Sequence, residues 1–124
     1  MALVALAQQG HYFHVYDFRV KPGSGDRFIK LFDTFDYSDT NPMHKSPAQV
    51  KDGVLCRDVK IPNRFWLIAE WADIEIHASI RDKLVAMHPE FVDYIEDLDK
   101  GAFVPDYGEI VSATPQEILD QAAE

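Results

Sequence analysis

The feature that most constrains this chain is a switch in hydrophobic period that runs twice in the same order. Large apolar residues first alternate, as on a strand, and then recur at every third or fourth position, as on a helix. His11 to Val20 (HYFHVYDFRV) is rich in aromatic and β-branched residues and holds no Gly or Pro, which favours a strand. Lys21-Pro22-Gly23-Ser24-Gly25 stops it. Phe28, Leu31, Phe32 and Phe35 then fall at helical spacing, so an amphipathic helix is expected from Gly25 to Tyr37. Gly53 to Lys60 and Arg64 to Trp71 form a hairpin around Ile61-Pro62-Asn63. Asp73 opens a second helix carrying Ile74, His77, Ala78, Ile80, Arg81, Leu84 and Val85. Pro89 interrupts it, and a further helical segment is expected to run to Leu98 and end at Lys100-Gly101. Ala102 to Ser112 is the last strand, with Pro105 marking an edge, a bulge or the strand start.

The order β-α-β-β-α-β is the split βαβ, ferredoxin-like arrangement, an α+β fold with one antiparallel sheet and both helices on one face. Residues 11–112 are expected to form the core of a single domain. Residues 1–10 are an N-terminal arm, and 113–124 form a C-terminal helix opened by Thr114-Pro115-Gln116-Glu117. There Thr114 reads as N-cap, Pro115 as the first helical residue and Glu117 as the capping-box partner. Ser38 to Asp52 reads as loop, with a helical turn around Pro47 to Val50. It is long enough to be a lid or a binding loop.

A chain of 124 residues buries roughly two-thirds of its unfolded surface, so it needs neither metal nor disulfide to fold. With 21 acidic and 12 basic residues the net charge is −9, which disfavours a nucleic-acid partner or an anionic membrane surface. The single cysteine, Cys56, rules out an internal disulfide. No run approaches the ~20 apolar residues of a membrane span, and the expected location is cytoplasmic. Eight Phe, five Tyr and two Trp need a core or a pocket to occupy.

Side chains alternate across a strand, so each strand has two readable faces. Phe65, Leu67, Ala69 and Trp71 suit the side under the helices; Arg64, Trp66, Ile68 and Glu70 face away. In the first strand Tyr12, His14, Tyr16, Phe18 and Val20 alternate with Phe13 and Val15. The polar tips of the longer row place it on the uncovered face. An uncovered apolar face marks an interface or a binding site, and two-fold pairing with a second copy would bury it. A homodimer with a small-molecule pocket is therefore expected.

These features resemble the antibiotic-biosynthesis monooxygenase family of the dimeric α/β-barrel superfamily. The resemblance lies in the first strand followed by Val20-Lys21-Pro22-Gly23 and the helix with Phe28. It continues through Gly53-Val54 and Arg64-Phe65-Trp66-Leu67-Ile68-Ala69-Glu70-Trp71, which ends in Glu-Trp before an acidic helix start. It spans roughly 11–112. It implies a homodimer and, among its members, cofactor-independent oxidation of a small aromatic or quinol-like molecule, in which the substrate itself gives electrons to O₂. The family often places a His nine residues after the strand-ending Trp; here that position is Ile80, and His77 precedes it. Haem-degrading relatives use an Asn in the first strand and a Trp in the second helical region, and neither is present.

On this reading the catalytic candidates are His14, as the base, and Glu70. The substrate-binding candidates are Tyr12, Tyr16, Phe18, Trp66, Arg57, His77 and Tyr107. Each has a plain alternative. His14 could be an interface histidine. Trp66, Tyr12, Phe18, Tyr16 and Tyr107 could be packing residues. Glu70 could be half of a salt bridge to Arg57 or Arg64, and His77 could lie on the solvent face. His44 could close over a ligand from the long loop, or be solvated there. His11 and His14 fall on opposite faces, and no short-spaced His or Cys pair is present, so no metal is expected; the resemblance implies that no cofactor is used. Two further functions fit the same barrel: a non-catalytic small-molecule-binding or stress-related module, and an isomerase.

Overall fold

The computed structural model describes residues 2–96 and 103–124. Its elements are β1 (Tyr12–Arg19), α1 (Gly25–Asp36), β2 (Gln49–Arg57), β3 (Arg64–Trp71), α2 (Ile74–Met87), β4 (Asp106–Glu109) and α3 (Gln116–Ala122). The four strands form one antiparallel sheet in the order β2-β3-β1-β4. This is the α+β, split βαβ arrangement that the sequence implied. Among the described residues, no helix is long and apolar enough to cross a membrane.

Local chemistry sets the boundaries. Gly23 takes φ 81°, a left-handed conformation that a side chain would strain, and so turns β1 into α1. Asp73 caps α2 by accepting from the N–H groups of Glu75 and Ile76. α2 ends at His88, itself left-handed at φ 49°, and Pro89 follows. Beyond it lies a short 3-10 turn, Glu90–Tyr94, rather than the long helical segment expected; the expected end at Lys100-Gly101 lies outside the described residues. The last strand is shorter than expected, with Pro105 immediately before it. At α3 the cap position is Pro115 and no side-chain cap forms, so the capping box at Thr114 is not made.

The second strand begins at Gln49, four residues before the expected start. A bulge interrupts its pairing with β3 between Lys51 and Val54, which hides the alternation in the sequence. The helical turn of the preceding loop lies at Pro42–Lys45, where the Asn41 side chain accepts from Met43 N–H and Pro42 fills the first helical position.

The core sits between the sheet and α1 and α2. Phe28 and Phe32 of α1 and Ile80 and Leu84 of α2 pack on Phe18, Phe65 and Trp71. The rings of Phe28 and Phe65 lie 5.1 Å apart. Truncating a core phenylalanine such as Phe28 to Ala costs about 3–5 kcal/mol.

This packing corrects one expectation. β1 pairs with β3 in the register Phe18–Phe65, Tyr16–Leu67, His14–Ala69, Tyr12–Trp71. Directly opposed residues share a face. The row Tyr12, His14, Tyr16, Phe18 and Val20 therefore lies under the helices, with Phe65 and Trp71. The face the helices leave uncovered carries Phe13, Val15, Asp17 and Arg19 beside Arg64, Trp66, Ile68 and Glu70. The β3 assignment holds. On β1 the faces are reversed: the polar groups of His14 and Tyr16 find hydrogen-bond partners inside, while the other row ends in the charged Asp17 and Arg19 and faces outward.

Candidate functional site

Two buried histidines come together under the helices. His14 enters from β1 and His77 from the first turns of α2, and their rings are 4.5 Å apart. Both are buried in the protein interior. Trp71 Nε1–H donates to His14 Nδ1 at 3.0 Å. An indole N–H can only donate, so Nδ1 must accept, and the neutral ring carries its proton on Nε2. That Nε2–H is fully buried and finds no partner among the described residues. Burial, then the neighbouring His77, lowers the His14 pKa to about 3; burial, then Arg81, lowers that of His77 to about 4. Both rings are neutral at physiological pH.

His77 is held between two phenols. Its Nε2 is 3.1 Å from Tyr16 Oη and its Nδ1 is 2.8 Å from Tyr107 Oη. One ring nitrogen donates and the other accepts, so the three groups form a chain that can pass a proton along its length. Tyr16 is at the buried end, its pKa raised chiefly by burial. Tyr107, on β4, is 37% exposed and reaches the surface.

Tyr16 and His14 line a cavity of about 40 Å³, together with Met43, Leu67, Leu84, Phe91 and Phe103. A volume of that size holds one or two waters and not an aromatic ring. Asp36, Asn41, His44 and Asp52 line the same cavity.

The expected site residues therefore divide. The structure brings His14, Tyr16, His77 and Tyr107 together. His77 has no solvent face, because the α2 stripe of His77, Ile80 and Leu84 points inward. Tyr12 stands at the start of β1, away from the cavity, and Phe18 is sealed in the core between Tyr16, Phe28 and Phe103. Arg57 pairs with Asp26 at 2.8 Å and stacks on Phe65, so it reaches neither Glu70 nor the cavity. Trp66 lies on the uncovered face beneath the Arg64 guanidinium. Arg64 is paired with Asp17 and Asp58, not with Glu70.

Glu70 also leaves the site. It is buried on the opposite face by the N-terminal arm, where Oε2 accepts from Gln8 N–H and lies 2.7 Å from His11 Nδ1. The arm is fastened further by Lys51, which donates to the carbonyls of Ala5 and Leu6, and by Gln116 of α3, which bridges Leu3 and Ala5. Sequence reasoning missed Trp71 and, on the cavity wall, Asp36, Asn41 and Asp52. A buried indole needs an acceptor, but nothing in the spacing of Trp71 names His14 as that acceptor.

No protein-family model matches the sequence, and no curated protein does either. Solved structures do. One is a protein from Bordetella bronchiseptica assigned by inference as an antibiotic biosynthesis monooxygenase. It superposes with a TM-score of 0.61 at 15% identity, covering 84% of this chain and 100% of its own. A second, similarly assigned, from Chloroflexus aurantiacus, gives 0.53 at 20% identity, covering 86% of this chain and 98% of its own. SnoaB, a cofactor-independent oxygenase from Streptomyces nogalater, gives 0.55 at 16%, covering 80% and 89%. The chain has the antibiotic-biosynthesis-monooxygenase fold. The structural neighbours thus include the family that the sequence resembles, and at these identities the likeness is one of fold.

Proposed function

We propose that the protein is a homodimeric, cofactor-independent monooxygenase acting on a small aromatic or quinol-like molecule bound between sheet and helices. The observation that carries this reading is the Tyr16–His77–Tyr107 chain, which joins a buried cavity to the surface. The role of His14 follows from its tautomer. With Nδ1 occupied by Trp71, His14 offers the cavity an N–H donor and not a base, which revises the role its sequence position suggested. It suits stabilisation of a developing phenolate. The substrate hydroxyl proton passes to Tyr16 as Tyr16 hands its own to His77, and Tyr107 completes the exit. The phenolate, rich in charge at a ring carbon, gives one electron to O₂. Radical and superoxide combine to form a C–O bond, and the peroxide anion takes a proton back through the same relay. Loss of water from the resulting hydroperoxide leaves a carbonyl. A ring enters only when the Met43–His44 wall moves outward, since the closed cavity is water-sized.

The test is oxygen consumption with a panel of quinols and anthrones. Wild type is expected to consume oxygen. Tyr16→Phe is expected to lower kcat by about 10²-fold or more, the usual worth of a positioned proton-transfer group. His14→Ala is expected to lose a similar factor with little change in KM. The small cavity favours a second reading, a binding module without turnover, and a wild type inactive across the panel would select it. Turnover without oxygen uptake would instead indicate an isomerase using the same relay.

A further inference from the structure

Three side chains from separate segments converge at the cavity. Asp36 ends α1, His44 lies in the 3-10 turn, and Asp52 sits in the β2 bulge. His44 Nε2 is 2.8 Å from Asp52 Oδ1 and 3.4 Å from Asp36 Oδ1, and one donor atom from each lies within 4.8 Å of the others. Donors bound to one cation at about 2.0–2.2 Å stand roughly 3.0–3.5 Å apart, so small side-chain adjustments close the set. Two neighbours orient the carboxylates. Asn41 Nδ2 donates to Asp36 at 3.2 Å, and Gly53 N–H donates to Asp52 at 2.9 Å. Such outer contacts fix ligand geometry at metal centres.

Carboxylates beside a histidine form ordinary ion pairs, and alone they indicate no ligand. A second observation does. His14 lines the same cavity, and its buried Nε2–H has no partner among the described residues. An N–H donor there calls for an oxygen acceptor inside a space of about 40 Å³, the size of a water, a hydroxide or a small anion.

We propose that Asp36, His44 and Asp52 bind a first-row divalent cation. Its remaining coordination positions face the cavity and hold an oxygen ligand that accepts from His14. One imidazole and two carboxylates suit Zn²⁺, Co²⁺, Mn²⁺ or Fe²⁺ better than the all-oxygen preference of Ca²⁺. The ligands are spaced eight residues apart twice over, which explains why no short metal motif is visible in the sequence. This site shares its cavity and His14 with the oxidation proposed above, but it does not rest on that reading, and it is measured without substrate. Its failure would leave the oxygen-uptake test standing.

The experiment is titration of metal-free, untagged protein with Co²⁺, read by visible absorption, and with Zn²⁺, read by calorimetry and melting temperature. The expected result is one cation per chain, a higher melting temperature, and affinity at least about tenfold weaker in both His44→Ala and Asp52→Asn. Circular dichroism checks that both variants fold. His88→Ala, which removes the exposed His88–Asp93 pair elsewhere on the surface, is expected to bind as wild type does. Azide added to the Co²⁺ form is expected to shift its spectrum, and more weakly in His14→Ala. No binding at millimolar metal overturns the proposal, as does binding that His44→Ala and Asp52→Asn leave unchanged. A spectrum indifferent to azide overturns the open positions.

Discussion

His14 and His77 carry a measurable consequence of burial. Each is neutral in the folded protein and binds a proton freely once unfolded, at an ordinary pKa near 6.5. Between pH 6.5 and about 4 the unfolded state therefore holds more protons, and stability rises with pH. The contribution is complete above 6.5 and is lost as pH falls toward the folded values. Each histidine adds about 1.4 kcal/mol per pH unit where only the unfolded chain is protonated. Guanidinium unfolding at pH 7, 5.5 and 4.5 is expected to show that slope, and His14→Gln or His77→Gln to remove about half of it. A slope unchanged in both variants would place the acid sensitivity elsewhere. The sequence named both histidines but not their partners. Trp71 and Tyr107 reach them only through the sheet register and the fold of α2 onto it.

Among the elements, the helix starts separate a cap that forms from one that does not. Asp73 accepts from two N–H groups at the start of α2, so Asp73→Ala is expected to lower stability by about 1 kcal/mol. Thr114 fits a capping-box pattern equally well, yet α3 is only seven residues long and fully surface-lying, with no buried residue. Thr114→Ala is expected to change stability by less than about 0.5 kcal/mol. Denaturation curves of the two variants decide this, and equal losses would contradict it. The pattern for a cap is local and legible in sequence; whether the helix behind it packs is not. The same holds for β2, whose bulge hides its first residues and turns Asp52 toward His44.

At the scale of the whole molecule, the uncovered sheet face is the feature the single chain leaves incomplete. Val54 is 58% exposed there beside Ile68 and Trp66, and the N-terminal arm covers only the end near Glu70. Pairing through this face would bury it, which is the basis of the proposed homodimer. Solution mass at micromolar concentration is expected to be twice that of one chain, and Trp66→Glu to halve it while leaving the fold intact. A monomeric wild type would remove the dimer from the proposal. The pocket does not depend on that outcome, because His14 and Tyr16 lie under the helices of their own chain.

The order of elements, the β3 strand from Arg64 to Trp71 and the amphipathic α1 were written in local periodicity, because alternate and helical spacings are properties of neighbouring residues. The inner face of β1 was legible only in part: Asp17 and Arg19 mark the outer row, but the polar tips in the inner row argue the other way until pairing with β3 fixes the register. The chemistry of the site was not written there. The tautomer of His14 depends on Trp71, fifty-seven positions away in the chain. The neutrality of His77 depends on how deeply α2 packs, and the meeting of Asp36, His44 and Asp52 depends on a loop closing over the sheet. Each is set by groups distant in sequence that share one small volume, and only the tertiary structure brings them there.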